Sequence, residues 1–483
     1  MPLTVSTATL LAIAPAAVLV TTTAVLLLLD LLPPRDRKGH LGFVGLAGVV
    51  AMLIVTLLLW GTPRQGFGGM VALDSYALFV DVVIAYATGL VLLLSVDYLR
   101  RNGIEAGEYY ALVCLSATGM VLLVSATDLI VVFLAVELMS LSLYVLAGFF
   151  SSRLTSGESA MKYFLLGAFA TGFLLYGIAL IYGATGTTNL DKISAAAVGL
   201  GRDPLLVMGF GLLLVGFGFK ISSVPFHMWA PDVYEGAPTS VTALIATGSK
   251  AAAIATLVRV LLSVHPAAPP DWVTLLWVVA VLTMTVGNVV AIAQSNLKRM
   301  LAYSSVAHVG YMLVGVVAGG SLGNGGVLFY LLAYTFTTVG AFGVILLLER
   351  GGQEAVNLED YSGLSTRHPV LALTLSLFLL SLIGIPPTAG FVGKFYLFAA
   401  AIQAGYLWLT VIAVLNSAVA AYYYLRLIVY MYMREPEGVP TAFAPSFAGG
   451  LALGIALWGV FQFGLMPAPL FDLARAAVAP LLR

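Results

Sequence analysis

The chain has 483 residues, 22 basic and 22 acidic side chains and no net charge; hydrophobic residues make up 61%, charged ones 9%, and mean hydropathy is +1.03. Soluble domains carry about 25% charged residues, so the solvent for most of this chain must be lipid. Zero net charge offers no basic face to nucleic acid. The single cysteine, Cys114, excludes a disulfide framework and any four-cysteine metal or iron–sulfur site, and five scattered histidines point away from haem or zinc.

A membrane-spanning helix needs about 20 mostly apolar residues. Fourteen such runs follow in chain order, near 7–31, 41–61, 75–98, 109–126, 128–149, 159–185, 204–230, 238–263, 272–294, 299–319, 326–349, 369–403, 406–433 and 445–465. The first has no basic stretch before it and no small-residue cleavage site after it, so it is expected to stay as a helix. Only Ala126, Thr127 and Asp128 divide the fourth run from the fifth. Basic residues crowd the loops after odd-numbered runs (Arg35, Arg37, Lys38, Arg100, Arg101, Arg153, Lys162, Lys298 and Arg299 among them), and the opposite loops are poorer, with Arg64, Lys192, Arg202, Arg475 and Arg483. The positive-inside rule then makes the odd loops cytoplasmic and puts both termini on the other side. A bacterial inner membrane suits this arrangement.

Two runs look broken. The seventh contains Lys220-Ile-Ser-Ser-Val-Pro225, and the twelfth contains Gly384-Ile-Pro-Pro387 followed by Gly390 and Gly393. Proline removes a backbone donor and clashes with the preceding turn. The freed carbonyls are tolerated at membrane depth only where they face protein or a wet cavity. Breaks five runs apart imply an internal repeat of an odd number of helices, hence inverted. The expected fold is an all-α polytopic membrane protein of about fourteen transmembrane helices, with discontinuous helices seven and twelve. It forms a single membrane domain over 1–483: helices one to three over 1–108, inverted five-helix repeats over 109–263 and 272–433, and a last helix and C-terminus over 445–483.

A charge near the bilayer centre costs on the order of 3 kcal/mol on insertion scales. Glu137, Lys220, Lys250 and Lys394 all sit inside apolar runs, and none has a charged neighbour one helical turn away. A lysine in a low-dielectric site loses affinity for its proton, and a nearby carboxylate restores the charged form. Moving Glu137 towards or away from Lys220 would therefore switch the lysine between holding and releasing a proton. Ser222, Ser223, His227, Thr247, Ser249 and His308 are polar helpers of the right kind, His227 and His308 as candidate relays. The competing reading is a set of buried ion pairs that only pin helix packing. Arg259 and Arg426 lie near run ends and are expected to snorkel. Two of Asp74, Asp81 and Asp97 are expected at the interface. Gly209, Gly211, Gly216 and Gly218 read as close helix packing, and Tyr422, Tyr423 and Tyr424 as packing or interface aromatics.

The stretch Gly218-Phe-Lys-Ile-Ser-Ser-Val-Pro-Phe-His-Met-Trp-Ala-Pro-Asp-Val-Tyr-Glu-Gly-Ala-Pro-Thr239 resembles the antiporter-like membrane subunits of respiratory complex I, and Ala230–Thr239 resembles the N type in particular. Gly248–Ala252, Asn296–Ser305 and Gly384–Lys394 match as well. The resemblance implies a fourteen-helix subunit with one proton channel coupled to quinone reduction elsewhere. It makes Glu137 and Lys220 the input pair, Lys250 the central connector and Lys394 the exit-side group; Lys298 and His308 fall in a matching segment. A lysine rather than a glutamate at 394 argues against the M type, and the length argues against the L type. The chain itself is expected to bind no cofactor. Flavin, iron–sulfur clusters and quinone would belong to partner subunits, namely other membrane subunits and, through them, a peripheral redox arm. A multisubunit cation/proton antiporter and a structural scaffold with vestigial charges are the alternative readings.

Overall fold

The computed structural model describes residues 6–33, 38–200, 203–264, 272–350, 353–435 and 442–482. Arg35, Arg37, Arg202 and Arg483, used above to argue orientation, lie outside the described residues.

The chain opens with α1 (Thr7–Ala12), α2 (Ala14–Asp30) and α3 (His40–Leu58). A two-stranded antiparallel hairpin, β1 (Arg64–Gly66) and β2 (Val71–Leu73), leads into α4 (Ser75–Arg101), α5 (Gly107–Ser125), α6 (Leu129–Ala147) and α7 (Leu154–Thr185). There follow α8 (Leu190–Ala197), α9 (Pro204–Ile221) and α10 (Trp229–Gly236). One continuous span is then built from α11 (Thr239–Leu244), a π-helical turn (Ile245–Ser249) and α12 (Lys250–Val264). The second half holds α13 (Trp272–Ile292), α14 (Leu297–Ala318), α15 (Gly320–Leu346), α16 (Leu364–Arg367), α17 (Pro369–Ile383), α18 (Ala389–Gln403), α19 (Leu407–Met433), α20 (Phe447–Leu465) and α21 (Pro467–Val478). Its short strands β3 (Leu348–Arg350), β4 (Gln353–Glu354) and β5 (Ala442–Phe443) pair in the order β4-β3-β5.

Among the described residues, twelve helices are long and apolar enough to cross a membrane. Three shorter apolar helices, α2, α17 and α18, stand where the first and twelfth runs were expected. The narrow division at 126–128 is real, because the Asp128 side chain accepts from the Ile130 N–H and starts α6. Such caps satisfy donors that a helix N-terminus leaves open. The seventh run stops earlier than expected: α9 ends at Ser222, whose left-handed backbone (φ 61°) turns the chain away, and residues to 236 form the separate α10. Gly384 ends α17 in the same left-handed conformation (φ 91°). Conversely, α15 starts six residues before the apolar run at 326, and α21 extends the chain beyond the last expected helix.

Two isolated antiparallel bridges, Asp128 with Asn189 and Asn296 with Asn357, mark the starts of α6 and α14. The partners in each are 61 residues apart, and the second bridge lies 168 residues after the first.

The α11–α12 span and α15 are buried along their length, and α4 and α14 nearly so. Outer helices such as α3, α7 and α19 turn large apolar side chains outward, including Phe164, Phe169, Tyr176 and Leu415. The α7–α9 crossing is close because glycines meet there: a Cβ on Gly209 would lie 2.9 Å from the Gly177 carbonyl. That agrees with the packing role expected of Gly209, and Gly216 meets Leu174 likewise, whereas a Cβ on Gly211 would meet nothing within 4 Å.

Candidate functional site: a string of buried lysines

The central lysines lie in the protein interior, where burying an ammonium is unfavourable unless it is hydrogen-bonded. Lys220 occupies the last turn of α9, where the negative end of the helix dipole favours a cation. Its Nζ donates to Ser140 Oγ at 2.6 Å and Tyr144 OH at 3.4 Å, and it faces the Tyr144, Tyr163 and Phe219 rings at 5.3–5.8 Å. Glu137 is not hydrogen-bonded to it. The carboxylate stands one turn before Ser140 on α6, close enough for its charge to act on Lys220. It lies beside the exposed stripe of Leu134, Leu141 and Val145.

Tyr163 links onward to Ser249, in the π turn just before Lys250. Lys250 Nζ donates to Ser305 Oγ on α14 and lies 5.6 Å from the Tyr234 ring, whose hydroxyl reaches the same Ser305 at 3.2 Å. One turn along α14, His308 bridges two hydroxyls: Nδ1 to Tyr330 OH at 2.7 Å and Nε2 to Tyr424 OH at 3.2 Å. Tyr424 also bonds Ser304.

Lys394 reaches back from α18 to the end of α17. Its Nζ donates to the carbonyls of Leu382 (3.1 Å) and Ile383 (2.9 Å) and to Ser417 Oγ (3.4 Å), above the Tyr311 ring at 4.5 Å. Both broken helices therefore place an ammonium at the C-terminal end of their first half. Lys220 does so within its own helix and Lys394 from across the break.

The remaining candidates, Lys298 and His227, make no hydrogen bond to the string among the described residues, although Lys250's charge acts on His227. Lys298 sits at the end of the protein that carries α10, where it donates to the Ala237 carbonyl at 2.8 Å and meets Glu354 at 3.7 Å. His227 is half-buried in the link between α9 and α10, its ring edge towards Tyr303.

Sequence reasoning missed a second cluster at that end. Glu354 bonds Tyr98 and Thr239 and pairs with Lys298 and, at 3.4 Å, with Arg153. Burial would raise its carboxyl, but Lys298, the two hydroxyls and Arg153 together hold it below the usual value. Asp232 and Glu235 of the Ala230–Thr239 stretch are gripped by Arg299 at 2.8 and 2.7 Å, and Asp232 also by Lys162 at 2.6 Å. The acidic residues of that stretch form a charged clamp, and only Tyr234 turns from it to the string, at Lys250 and Ser305.

Two expectations need correcting, and the packing and interface reading of the tyrosines gains polar partners. Arg259 does not snorkel; it is 1% exposed and grips Asp74 through two bonds of 2.8 Å. Arg426 caps the end of α13, donating to the carbonyls of Ile292 and Gln294. Tyr423 and Tyr424 are buried members of polar networks, Tyr423 donating to Asn288 Oδ1 at 3.0 Å, whereas Tyr422 is exposed.

The family described as NADH:quinone oxidoreductase/Mrp antiporter, TM, matches residues 126–420, which contain Glu137, Lys220, Lys250, His308 and Lys394. The chain belongs to that family. Its kinship lies in the subunit N branch of this antiporter-like family: NADH-quinone oxidoreductase subunit N of Trichlorobacter lovleyi is 49% identical over 455 residues, 94% of this chain and 93% of that protein. A chain in the structure of respiratory complex I from Thermus thermophilus with bound aureothin is 39% identical and superposes with a TM-score of 0.81 over 95% of this chain and 99% of that one. A chain of the Mrp complex from Dietzia sp. shares the fold, with a TM-score of 0.86 over 98% of this chain and 97% of that one, at 23% identity. Family members of this kind are antiporter-like integral membrane subunits. Among the described residues no group of three or more histidine, cysteine or acidic side chains is placed to hold a metal ion.

Proposed function

We propose that this chain is a membrane-arm subunit of a proton-translocating complex I, and that it passes protons along Glu137, Lys220, Lys250, His308 and Lys394 in response to quinone reduction in partner subunits. The observation that carries the reading is the interior string itself: Lys220, Lys250 and His308 held by hydroxyls and Lys394 by two carbonyls and a hydroxyl, with no carboxylate locked onto any of the four. A hydroxyl both donates and accepts. It can therefore hand a proton on by turning, which a fixed ion pair cannot do. Kinship favours complex I over a cation/proton antiporter, with 49% identity to a subunit N against 23% to the Mrp chain.

Two inverted repeats, within about fourteen spans, are part of this reading. The bridges 168 residues apart support them, because the same offset carries Glu137 to Ser305 and Ser140 to His308. The domain boundaries 1–108, 109–263, 272–433 and 445–483 follow. Glu137 supports the partnership: a carboxylate beside an exposed apolar stripe at membrane depth is costly in lipid. A neighbouring membrane subunit seated on α6 would cover it. On this reading flavin, iron–sulfur clusters and quinone belong to those partners, and the basic odd-numbered loops support a cytoplasmic side for the α10 end in a bacterial inner membrane.

The test is Lys220→Ala in the intact complex, reconstituted in vesicles, with protons moved per electron as the readout. Assembly is expected to persist and the ratio to fall. An assembled variant with the full ratio removes Lys220 from the mechanism.

A further inference from the structure

The lysine string leaves one buried acid unused. Asp81, on α4, is 1% exposed, and neither of its carboxyl oxygens has a hydrogen-bond partner. It stands seven residues, two helical turns, after Asp74, on the same face. That face packs antiparallel to α12: Asp74 meets Arg259, the Tyr76 hydroxyl donates to the Ala255 carbonyl at 2.8 Å, and Ala87 lies against Gly248. Asp81 falls between these contacts, opposite the turn of α12 that holds Ala252. The side chains α12 offers on this face are Ala252, Ala255 and Arg259, so Arg259 supplies the only donors there.

Arg259 spends Nη1 and Nη2 on Asp74, while its Nε–H is buried without a partner. One cation thus acts by its charge on two buried acids but touches only Asp74, with Asp191 also acting on it, and one of its donors is unspent. The charges acting on Asp81 are those of Asp74 and Arg259. Tyr76, also on this face, is committed to Ala255. Of the other helices packed on α4, α11, α15 and α20 carry no charged residue; α3 begins at His40 and α5 carries Glu108 in its first turn, both beside the far end of α4, and α21 carries Asp472 and Arg475, the latter lying against Gly325 of α15.

We propose that Asp81 is a second proton-binding site of this chain, separate from the lysine string, and that Arg259 connects it to the surface. Charge balance in the interior allows one ionised carboxylate beside one guanidinium. With Arg259 on Asp74, as found, Asp81 is the neutral acid. The exchange is balanced. The Asp81 O–H bond breaks, the proton passes through water to Asp74, and the guanidinium turns its donors from Asp74 to the new carboxylate on Asp81. Asp74 and Arg259 line a polar cavity of about 560 Å³, together with Arg64, Thr127, Asp191 and Ser194, from which that water would come. The cavity lies at the end of the protein where α4 begins, opposite the α10 clamp. A role for this exchange in proton translocation rests on the function proposed above; the protonation of Asp81 does not.

The intact complex carrying Asp81→Asn tests both. Infrared difference spectra between H2O and D2O, wild type minus variant, are expected to show the loss of one carboxylic-acid carbonyl band. Asp81→Glu serves if the asparagine variant fails to assemble, and there the band is expected to shift rather than vanish. Spectra unchanged in this region mean that Asp81 is ionised and overturn the proposal. The proton-to-electron ratio in vesicles, measured beside Lys220→Ala, is expected to fall in both variants. A ratio lowered by Lys220→Ala and left at the wild-type value by Asp81→Asn overturns the link to translocation and spares the proposed function. A ratio lowered by neither overturns the function itself.

Discussion

At the interior string each ammonium rests on hydroxyls, carbonyls or ring faces; at the α10 end each cation of the Lys162, Arg153, Lys298 and Arg299 set meets a carboxylate. The groups are chemically alike and their surroundings are not. A carboxylate partner fixes a lysine in its charged form, whereas a hydroxyl accepts from the ammonium and can donate to the free amine. The clamp holds charge still and the string leaves it free to change. The Asp74–Arg259 pair lies between these extremes, a buried ion pair with an unpaired acid beside it.

The largest expected effect comes from keeping the charge and removing the exchange. Lys250→Arg retains a cation that does not deprotonate, so proton transfer per electron in vesicles should fall at least tenfold for this channel's share, with assembly intact on native gels. Lys162→Arg in the clamp should leave the ratio unchanged. If both variants pump equally, the contrast between string and clamp is wrong. Next comes Arg259→Met, which strands Asp74 and Asp81 without their shared cation. Removing one partner of a buried pair costs about 3–5 kcal/mol, and thermal unfolding of the purified complex should report the loss. The double variant Arg259→Met/Asp74→Leu should recover most of it.

Much of this was legible in advance, for reasons of scale. Apolar runs and the prolines at 225 and 386–387 act locally, so the spans and both breaks follow from neighbouring residues. The buried charges were legible because lipid makes them costly wherever they stand. Their partners were not. Lys220 meets Ser140 across 80 residues, and Arg259 meets Asp74 across 185. Serines and tyrosines in membrane helices are too common to single out one by one. A local signal did exist: Glu137, Ser140 and Tyr144 stand at i, i+3 and i+7, and Ser305 and His308 at i and i+3, each set on one helical face. Glu354 gave no such signal, since it lies in a short strand and its four partners come from four other parts of the chain.

Glu354→Gln sharpens the clamp side. It leaves Lys298 and Arg153 without their shared acid, and unsatisfied buried groups cost about 1–3 kcal/mol. The pH dependence has a definite sign. The folded carboxyl lies below its ordinary value of 4.5, so its contribution is complete above that value and is lost as pH falls through the lower folded one. Unfolding temperature measured from neutral to acid pH should therefore drop less steeply in the variant than in the wild type. Parallel curves would mean that Glu354 gains nothing from its neighbours.

The smallest effect belongs to Asp232→Asn. Lys162 and Arg299 still have Glu158 and Glu235 within reach, at 2.7 Å each, so neither cation is stranded. All of these groups are partly open to solvent. Exposed pairs are screened within about 3 Å at 1 M salt. Any stability difference between wild type and Asp232→Asn should thus be visible at low ionic strength and disappear at 1 M, while the deficit of Arg259→Met persists there. A difference at Asp232 that survives high salt would place the clamp among the buried pairs, and the Ala230–Thr239 stretch would then have to be counted with the interior and not with the surface.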